Sequence, residues 1–428
     1  MASARARQRS TDRPPGAVVI LVTLDTKGPE ARYLKERLQE WGGRVLVVDI
    51  GMAGTPCAVI PDVTRADVAR AAGSTASLVA KLGRGQAVET MQRGLIPILK
   101  GLQASGEMAG VIAIGGSDGA ITAAAAMQTL PLGVPKLIVS PATQGQTPFG
   151  PFVGTSDMTI MHSVVDILGI NQISRKIFDN AAGAILGMVR AQVNTELKPG
   201  RQIAATMYGN TTPAVMRAKK IIERHGYEVV VFHPNGTGGR AMEDLIDQGL
   251  FEAVLDFTTH EITDELHGGF HAAGPGRLEA AGRQGIPQLV VPGCVDFLIR
   301  ETKDSLRGKY RIRKSYHFNP VLSLVRATRA EMTQVGRVMA EKLNLARGPT
   351  TVLIPRGGFS MYACAGRPLH DPRSDAAFVS SLKRHLRTGI PVLEDDAWIN
   401  DPGFADRAAA LLLEMLEAHR PETRSSTG

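Results

Sequence analysis

Short apolar runs alternate along the chain with longer stretches in which apolar residues recur every three or four positions. The runs at 17–23, 44–50, 111–114 and 134–139 are rich in Val and Ile and read as buried strands. The stretches 29–41, 65–72, 87–105 and the Ala-rich run after Gly119 read as helices. Pro29 and Glu30 suit the first turn of the first of these. Residues 157–168 and 173–190 read as two more helices, the second with Gly183 and Gly187 on a face suited to close packing, inside the fold or at a dimer interface. The string Leu197-Lys-Pro-Gly200 reads as a linker, and after it the pattern restarts. Strands are expected at 202–207, 228–232, 253–257, 288–291 and 350–355. Thr212 is expected to cap a helix opened by Pro213, another helix carries Met242, Leu245 and Ile246, a long helix spans 326–345, and helices at 375–386 and 404–418 close the chain.

Strictly alternating strands and helices imply right-handed βαβ crossovers and parallel sheets. The expected fold is therefore α/β: two Rossmann-like doubly wound domains, 17–197 and 198–419, with a cleft between them. A basic, disordered tail at 1–16 and a short tail at 420–428 flank them.

Composition agrees with this picture. The chain has 428 residues, 43% hydrophobic but only 5% aromatic, with 46 glycines, as expected of aliphatic parallel strands joined by glycine turns. No apolar run approaches the ~20 residues of a membrane span, and the first 16 residues lack the apolar core of a signal peptide. The net charge of +8 draws in part on Arg5, Arg7, Arg9 and Arg13 and otherwise forms no basic run. That suits a small anionic ligand weakly and does not argue for nucleic acid. Cys57, Cys294 and Cys364 are far apart and odd in number, which excludes a disulfide framework and points to a cytoplasmic setting.

In open α/β sheets ligands sit outside the carboxyl ends of the strands. There the first half places Asp25, Thr26 and Lys27, then Gly115, Gly116, Ser117, Asp118 and Gly119, then Ser140, Thr143 and Gly145. A strand, a glycine turn and a helix together make an anion site, because backbone N–H groups and the positive end of the helix converge. The same turn also serves as a plain βα connection. It matches neither G-x-x-x-x-G-K-[ST] nor G-x-G-x-x-G, and Leu24–Gly28 lacks the fingerprint glycines, which argues against NAD-linked oxidoreduction. Asp25 is a candidate magnesium ligand and Lys27 a candidate phosphate partner. The second half places Asn210 and Thr211, then Gly236, Thr237, Gly238, Gly239 and Arg240, then Thr258, Thr259, His260 and Glu261, and later Gly357–Ser360. The glycines at 236–239 suggest a cradle for phosphate or carboxylate. His260 or Glu261 is a candidate general base. His260-Glu261-Ile-Thr-Asp264 fails the H-E-x-x-H pattern of a zinc site, and His267 and His271 are separated by glycines that argue for a loop. Cys294 reads either as a nucleophile or as a buried thiol.

Seven ordered motifs add a resemblance: Asp25-Thr-Lys-Gly-Pro-Glu30, Gly115-Gly-Ser-Asp-Gly119, Leu130-Pro-Leu-Gly-Val-Pro-Lys136, Val153-Gly-Thr-Ser-Asp157, Ser163-Val-Val-Asp-Ile-Leu-Gly-Ile-Asn171, Gly236-Thr-Gly-Gly-Arg-Ala-Met-Glu-Asp244 and Ile399-Asn-Asp401. Together they resemble the Tm-one-like ATP-binding domain family from about Val18 to Met415. The resemblance implies two Rossmann-like domains, binding of ATP with Mg2+, and a homodimer. The departures are local. Asp118 replaces the middle glycine of G-G-S-G-G, His260 enters T-T-T-E, and Phe318 and Trp398 stand in the family's H-N and H-I-N strings. Three functions stay open on the sequence: a nucleotide-binding enzyme or nucleotide-gated regulator, an enzyme acting on a small carboxylate or phosphorylated metabolite, and a protein-interaction module with structural ATP.

Overall fold

The two hydrophobic periods of the sequence resolve into two parallel sheets, each covered by helices on both faces. The computed structural model describes residues 16–142, 152–191 and 201–419. The chain divides into two compact units, Met1–Thr195 and Glu196–Gly428. The expected linker at 197–200 and the expected tails, Gly16 apart, lie outside the described residues.

The first unit runs β1 (Ala17–Val22), α1 (Leu24–Glu40), β2 (Val45–Asp49), α2 (Arg65–Ala71), α3 (Ala76–Val79), α4 (Arg84–Ala104), β3 (Met108–Ile114), α5 (Ser117–Met127), β4 (Lys136–Ser140), β5 (Thr159–His162) and α6 (Gln172–Arg190). Its sheet order is β2-β1-β3-β4-β5, parallel throughout. Neighbouring residues of a strand point to opposite faces. Val19, Leu21 and Ala113 therefore join the core under α2, α4 and α5, and Val18, Ile20 and Ile112 join the core under α1 and α6. Both faces being buried explains why these strands read as unbroken apolar runs.

Two expectations change here. The helix expected at 157–168 is an edge strand flanked by turns. Asp157 is held by the buried Lys136 ammonium at 2.5 Å, Thr159–His162 pairs with β4, and Val164 takes a left-handed φ of +63°. A four-residue, half-exposed strand carries too little periodicity to be told from a helix. The first helix also starts earlier than Pro29: a turn at Leu24 leads into it across a non-helical Lys27. Gly183 and Gly187 face outward from α6.

The second unit runs β6 (Gln202–Thr206), α7 (Thr212–Arg224), β7 (Glu228–Phe232), α8 (Thr237–Asp247), β8 (Ala253–Asp256), α9 (Glu261–His267), α10 (Ala280–Gln284), β9 (Gln288–Val290), β10 (Phe297–Glu301), β11 (Ser315–His317), β12 (Leu322–Arg326), α11 (Arg329–Leu343), β13 (Thr350–Pro355), α12 (Pro372–His385), β14 (Val392–Asp395) and α13 (Pro402–His419). The parallel order β7-β6-β8-β9-β13-β14 repeats the winding of the first unit. Thr211, not Thr212, is the residue before α7, with Pro213 still in its first turn. An antiparallel sheet, β10-β12-β11, is inserted after β9. The long helix expected from Arg326 is therefore split. Residues up to Arg326 form β12, and α11 starts after Thr328, whose hydroxyl and the Glu331 carboxylate form a capping box.

One buried ion cluster joins the elements around β8. Arg277 is 1% exposed. Its guanidinium bonds the Asp256 carboxylate at 2.5 and 2.7 Å, Glu261 at 2.6 Å and Glu243 at 3.2 Å. Glu243 in turn accepts the backbone N–H groups of Leu278 and Ala280, each at 2.6 Å. A strand end, two helices and the segment before α10 are thus tied to a single cation.

Two stability changes follow. A methyl group on Gly94 of α4 would overlap the Val68 carbonyl oxygen of α2. Gly94→Ala is expected to lower stability by about 1–3 kcal/mol through overpacking, although alanine favours an isolated helix by about 1 kcal/mol. Urea denaturation reads the sign, and a stabilised variant would refute the close approach. Arg277→Met strands three carboxylates without their cation, and the expected loss is about 3–5 kcal/mol in the unfolding of the second unit. A loss below about 1 kcal/mol, within the range of a surface pair, would show that the cluster does not need its guanidinium.

Candidate functional site

In a sheet of order 2-1-3-4-5, the chain crosses to opposite faces after the first and third strands, and a crevice opens between their carboxyl ends. In the first unit those ends carry Thr23–Lys27 and Gly115–Gly119. The two turns meet: a Cβ on Gly119 would lie 3.7 Å from the Thr23 methyl. The Thr23 and Thr26 hydroxyls lie 3.0 Å apart. Gly116 precedes α5, which has no side-chain cap, so its first N–H groups end at the crevice without an intrahelical partner. Asp118, on that first turn, pairs with the exposed Arg84 at 2.5 Å.

The other residues expected in this site divide. Asp25 lies against Gly51 and Gly54 on the β2 side, beside Arg65. Burial raises its carboxyl above the ordinary range against the pull of Arg65, and its Oδ1 is buried without a hydrogen-bond partner. Arg65 is itself bonded to Asp49 at 2.7 Å. Lys27 does not turn to the glycines; its ammonium donates to the Ile167 carbonyl. The Ser140 hydroxyl is buried and accepts the Ala142 N–H at 3.1 Å. Thr143 and Gly145 lie outside the described residues.

In the second unit the glycine cradle exists, and the chain fills it with its own anion. Gly236 N–H and Gly239 N–H donate to Glu261 Oε1 at 2.6 and 3.2 Å. Glu261 Oε2 takes the Arg277 Nε–H at 2.6 Å. A side chain at Gly239 would overlap that carboxylate, and Gly236 takes a φ of +90°, so both glycines serve this contact. Glu261 is fully buried and committed on both oxygens, which corrects its reading as a general base. Arg240 is exposed, as is Thr237. Thr211 and Thr258 are buried pins, their hydroxyls 2.8 Å apart, and the Thr258 N–H bonds Thr206 at 2.8 Å. Thr259 is buried with its N–H on the Gly293 carbonyl. Asn210 is buried, and neither end of its side-chain amide has a hydrogen-bond partner.

Beside this cradle the structure gathers His260, Asp264 and His271. His260 and Asp264 sit four residues apart at the start of α9 and so share one helix face. The chain returns through Gly268, a left-handed C-cap, and Gly269, where a side chain would overlap the Asp264 carboxylate. The return brings the His271 N–H to Asp264 Oδ2 at 2.9 Å, while the Ile299 N–H reaches Oδ1 at 3.1 Å. His260 Nε2 and His271 Nδ1 are 3.4 Å apart, and the Tyr208 hydroxyl is 3.5 Å from His271 Nδ1. Tyr208 also stacks on His233, centroids 5.0 Å apart. Burial holds His260 well below the ordinary histidine range and brings His271 down to about 4, with His233 adding to both. Burial pushes Asp264 up to about 7, although the His271 and Ile299 N–H groups favour its ionised form. The imidazoles thus present lone pairs rather than charge. His267 ends α9 and is not part of the group, in line with the loop expected between it and His271.

The sequence signal for this cluster was His260-x3-Asp264, set aside for lacking a second histidine at the fourth position. The second histidine arrives through the glycine return instead. Cys294 is buried among Tyr208, Phe297 and Leu324, and burial raises its thiol well above the ordinary range, in keeping with the buried-thiol reading.

Residues 16–194 match the model described as "Uncharacterised protein family (UPF0261) N-terminal domain", and residues 200–416 match that of its C-terminal domain. A UPF0261 protein of Clostridium tetani (strain Massachusetts / E88) is 40% identical over 403 residues, covering 94% of this chain and 99% of that protein. A UPF0261 protein of Rhizobium meliloti (strain 1021) is 37% identical over 401 residues, covering 92% of this chain and 97% of that one. The "ToMV susceptible protein tm-1(GCR26)" of Solanum lycopersicum is 32% identical over 439 residues, covering 96% of this chain but 58% of that longer protein. With both domains matched in order and relatives aligned over nearly its whole length, the chain belongs to the UPF0261 family.

Proposed function

We propose that the first unit binds the phosphates of a nucleotide at the crevice between β1 and β3, with ATP as the ligand and Mg2+ held by Asp25. The observation that carries this reading is Gly116. Its φ of −73° suits any residue, and a Cβ there meets nothing within 4 Å. Glycine is a common N-cap residue, but neither crowding nor φ restricts this position to it. A ligand lying on the N–H groups of α5 does, because a side chain would stand between them and a phosphate oxygen. ATP is the nucleotide that the resemblance to the Tm-one-like family implies. The unpartnered, buried Oδ1 of Asp25, on the β2 side of the β1 end and beside Arg65, is a hard oxygen donor of the type Mg2+ takes. Arg84, held beside the turn by Asp118, neutralises the one carboxylate that would repel phosphate. Lys27 has no part in this reading, since its ammonium is spent on the Ile167 carbonyl.

Thermal unfolding with ATP, ADP and inorganic phosphate, each with and without Mg2+, tests the proposal. Ligand at 100-fold excess over its dissociation constant is expected to add about 2.7 kcal/mol to the unfolding free energy. No shift with any of them at millimolar concentration sinks it. Gly116→Ala is expected to lower the ligand-free stability by about 0.5–1 kcal/mol, the cost of alanine for glycine at an N-cap, while removing most of the nucleotide shift. An unchanged shift would take the glycine turn out of the site. Asp118→Gly removes a carboxylate and frees Arg84, so ATP affinity in the absence of Mg2+ is expected to rise. Calorimetric titration showing equal or weaker binding would contradict that account of the turn.

A further inference from the structure

We propose that His260, Asp264 and His271 form a binding site for a divalent transition-metal cation of the zinc class, distinct in unit and in chemistry from the nucleotide site above. One ligand atom from each of the three residues lies within 4.8 Å of the others. The spacing of the nitrogens decides between two accounts of this group. Two imidazole nitrogens bound to one tetrahedral zinc, each about 2.05 Å from it, are held roughly 3.3 Å apart. His260 Nε2 and His271 Nδ1 are 3.4 Å apart. A direct hydrogen bond from N–H is usually shorter, with a mode of about 2.9–3.0 Å. The pair is set at the bite of a metal and is long for a bond between the two rings.

Charge points the same way. The Asp264 carboxylate is fully buried, and the hydrogen bonds it accepts are from the backbone N–H groups of His271 and Ile299, not from a cationic side chain. The rings of Tyr208 and Phe297 flank its neighbour His260, 4.9 and 6.1 Å away between centroids. A buried carboxylate is stable when paired with a cation or protonated. A divalent ion between the carboxylate and two lone pairs supplies the pairing. The backbone is also built for it: only glycine at 269 lets the loop close over the Asp264 carboxylate and return His271 to it.

The donor set, two imidazoles and one carboxylate, suits zinc or its first-row neighbours and not magnesium, which prefers oxygen alone. Three protein ligands leave a fourth position of a tetrahedral ion for water or a small ligand. The Tyr208 hydroxyl lies 3.5 Å from His271 Nδ1, beside the cluster.

The full chain, stripped with a chelator and dialysed, is titrated with Zn2+ against a chromophoric competitor, and separately with Co2+ and Mg2+. One zinc per chain, a four-coordinate cobalt absorption spectrum and no competition by magnesium are expected. His271→Gln, at a half-buried position, is expected to weaken zinc binding by more than about 100-fold, beyond the loss from changing a group that only orients a ligand, with His260→Asn as the independent second variant. Circular dichroism confirms that each is folded. His233→Gln, beside the cluster but outside it, is expected to bind zinc as the native chain does. Absence of stoichiometric zinc in the native chain, or zinc affinity retained in both His271→Gln and His260→Asn, overturns the site. Neither result bears on nucleotide binding by the first unit, which is read without zinc.

Discussion

The elements around β8 depend on one buried cation. Arg277 faces three carboxylates, from the end of β8, from α8 and from the first residue of α9. Taking four ionisable groups out of water is costly, and the geometry offsets the cost only if each partner is held in place. Burial raises Glu243 and Glu261 while Arg277 pulls both back, so the guanidinium is what keeps this much acid inside the fold. Fixing Glu261 also fixes the start of α9. His260 and Asp264 take their places from that start, so the histidine cluster is positioned by the ion cluster behind it.

The two units then differ in how they treat the same physical demand. A helix N-terminus after a parallel strand presents N–H groups and partial positive charge. In the second unit α8 meets that demand internally, because Glu261 reaches from the next βα turn and accepts from Gly236 and Gly239. In the first unit α5 starts from Gly116 with no side-chain cap, and the neighbouring Asp118 turns to Arg84. The two helices follow different strands of their sheets, α8 the second and α5 the third, and the anion contact is closed at α8 and open at α5. That contrast is the reason the nucleotide reading attaches to the first unit, although the second is the richer in glycine.

Much of the architecture was legible in the sequence, since strands buried on both faces become Val/Ile runs and covering helices keep a 3.6-residue period. The misses have physical causes. The edge strand β5 is too short and too exposed to carry a period. The β10–β12 insertion hid in a segment whose last strand abuts a helix, although Thr328-x-x-Glu331 marked the true helix start. The glycines at 236–239 suggest an anion cradle, but sequence spacing does not say that the chain's own Glu261 occupies it. Asp264 and His271 were read apart because their contact is made by a return through Gly268 and Gly269, where no helical or strand period operates.

The two proposed sites also sort cations by donor type. Asp25 offers an oxygen beside a glycine turn, a setting for a hard ion that arrives with phosphate. The cluster in the second unit offers two neutral imidazoles and a carboxylate inside aromatic walls, a setting that favours borderline ions and resists magnesium. If both readings hold, magnesium and zinc do not compete for one place in this chain. The winding is duplicated, but the chemistry at the strand ends is not: the second unit brings His260 and His271 to its carboxylate, and the first brings Arg65 to its own.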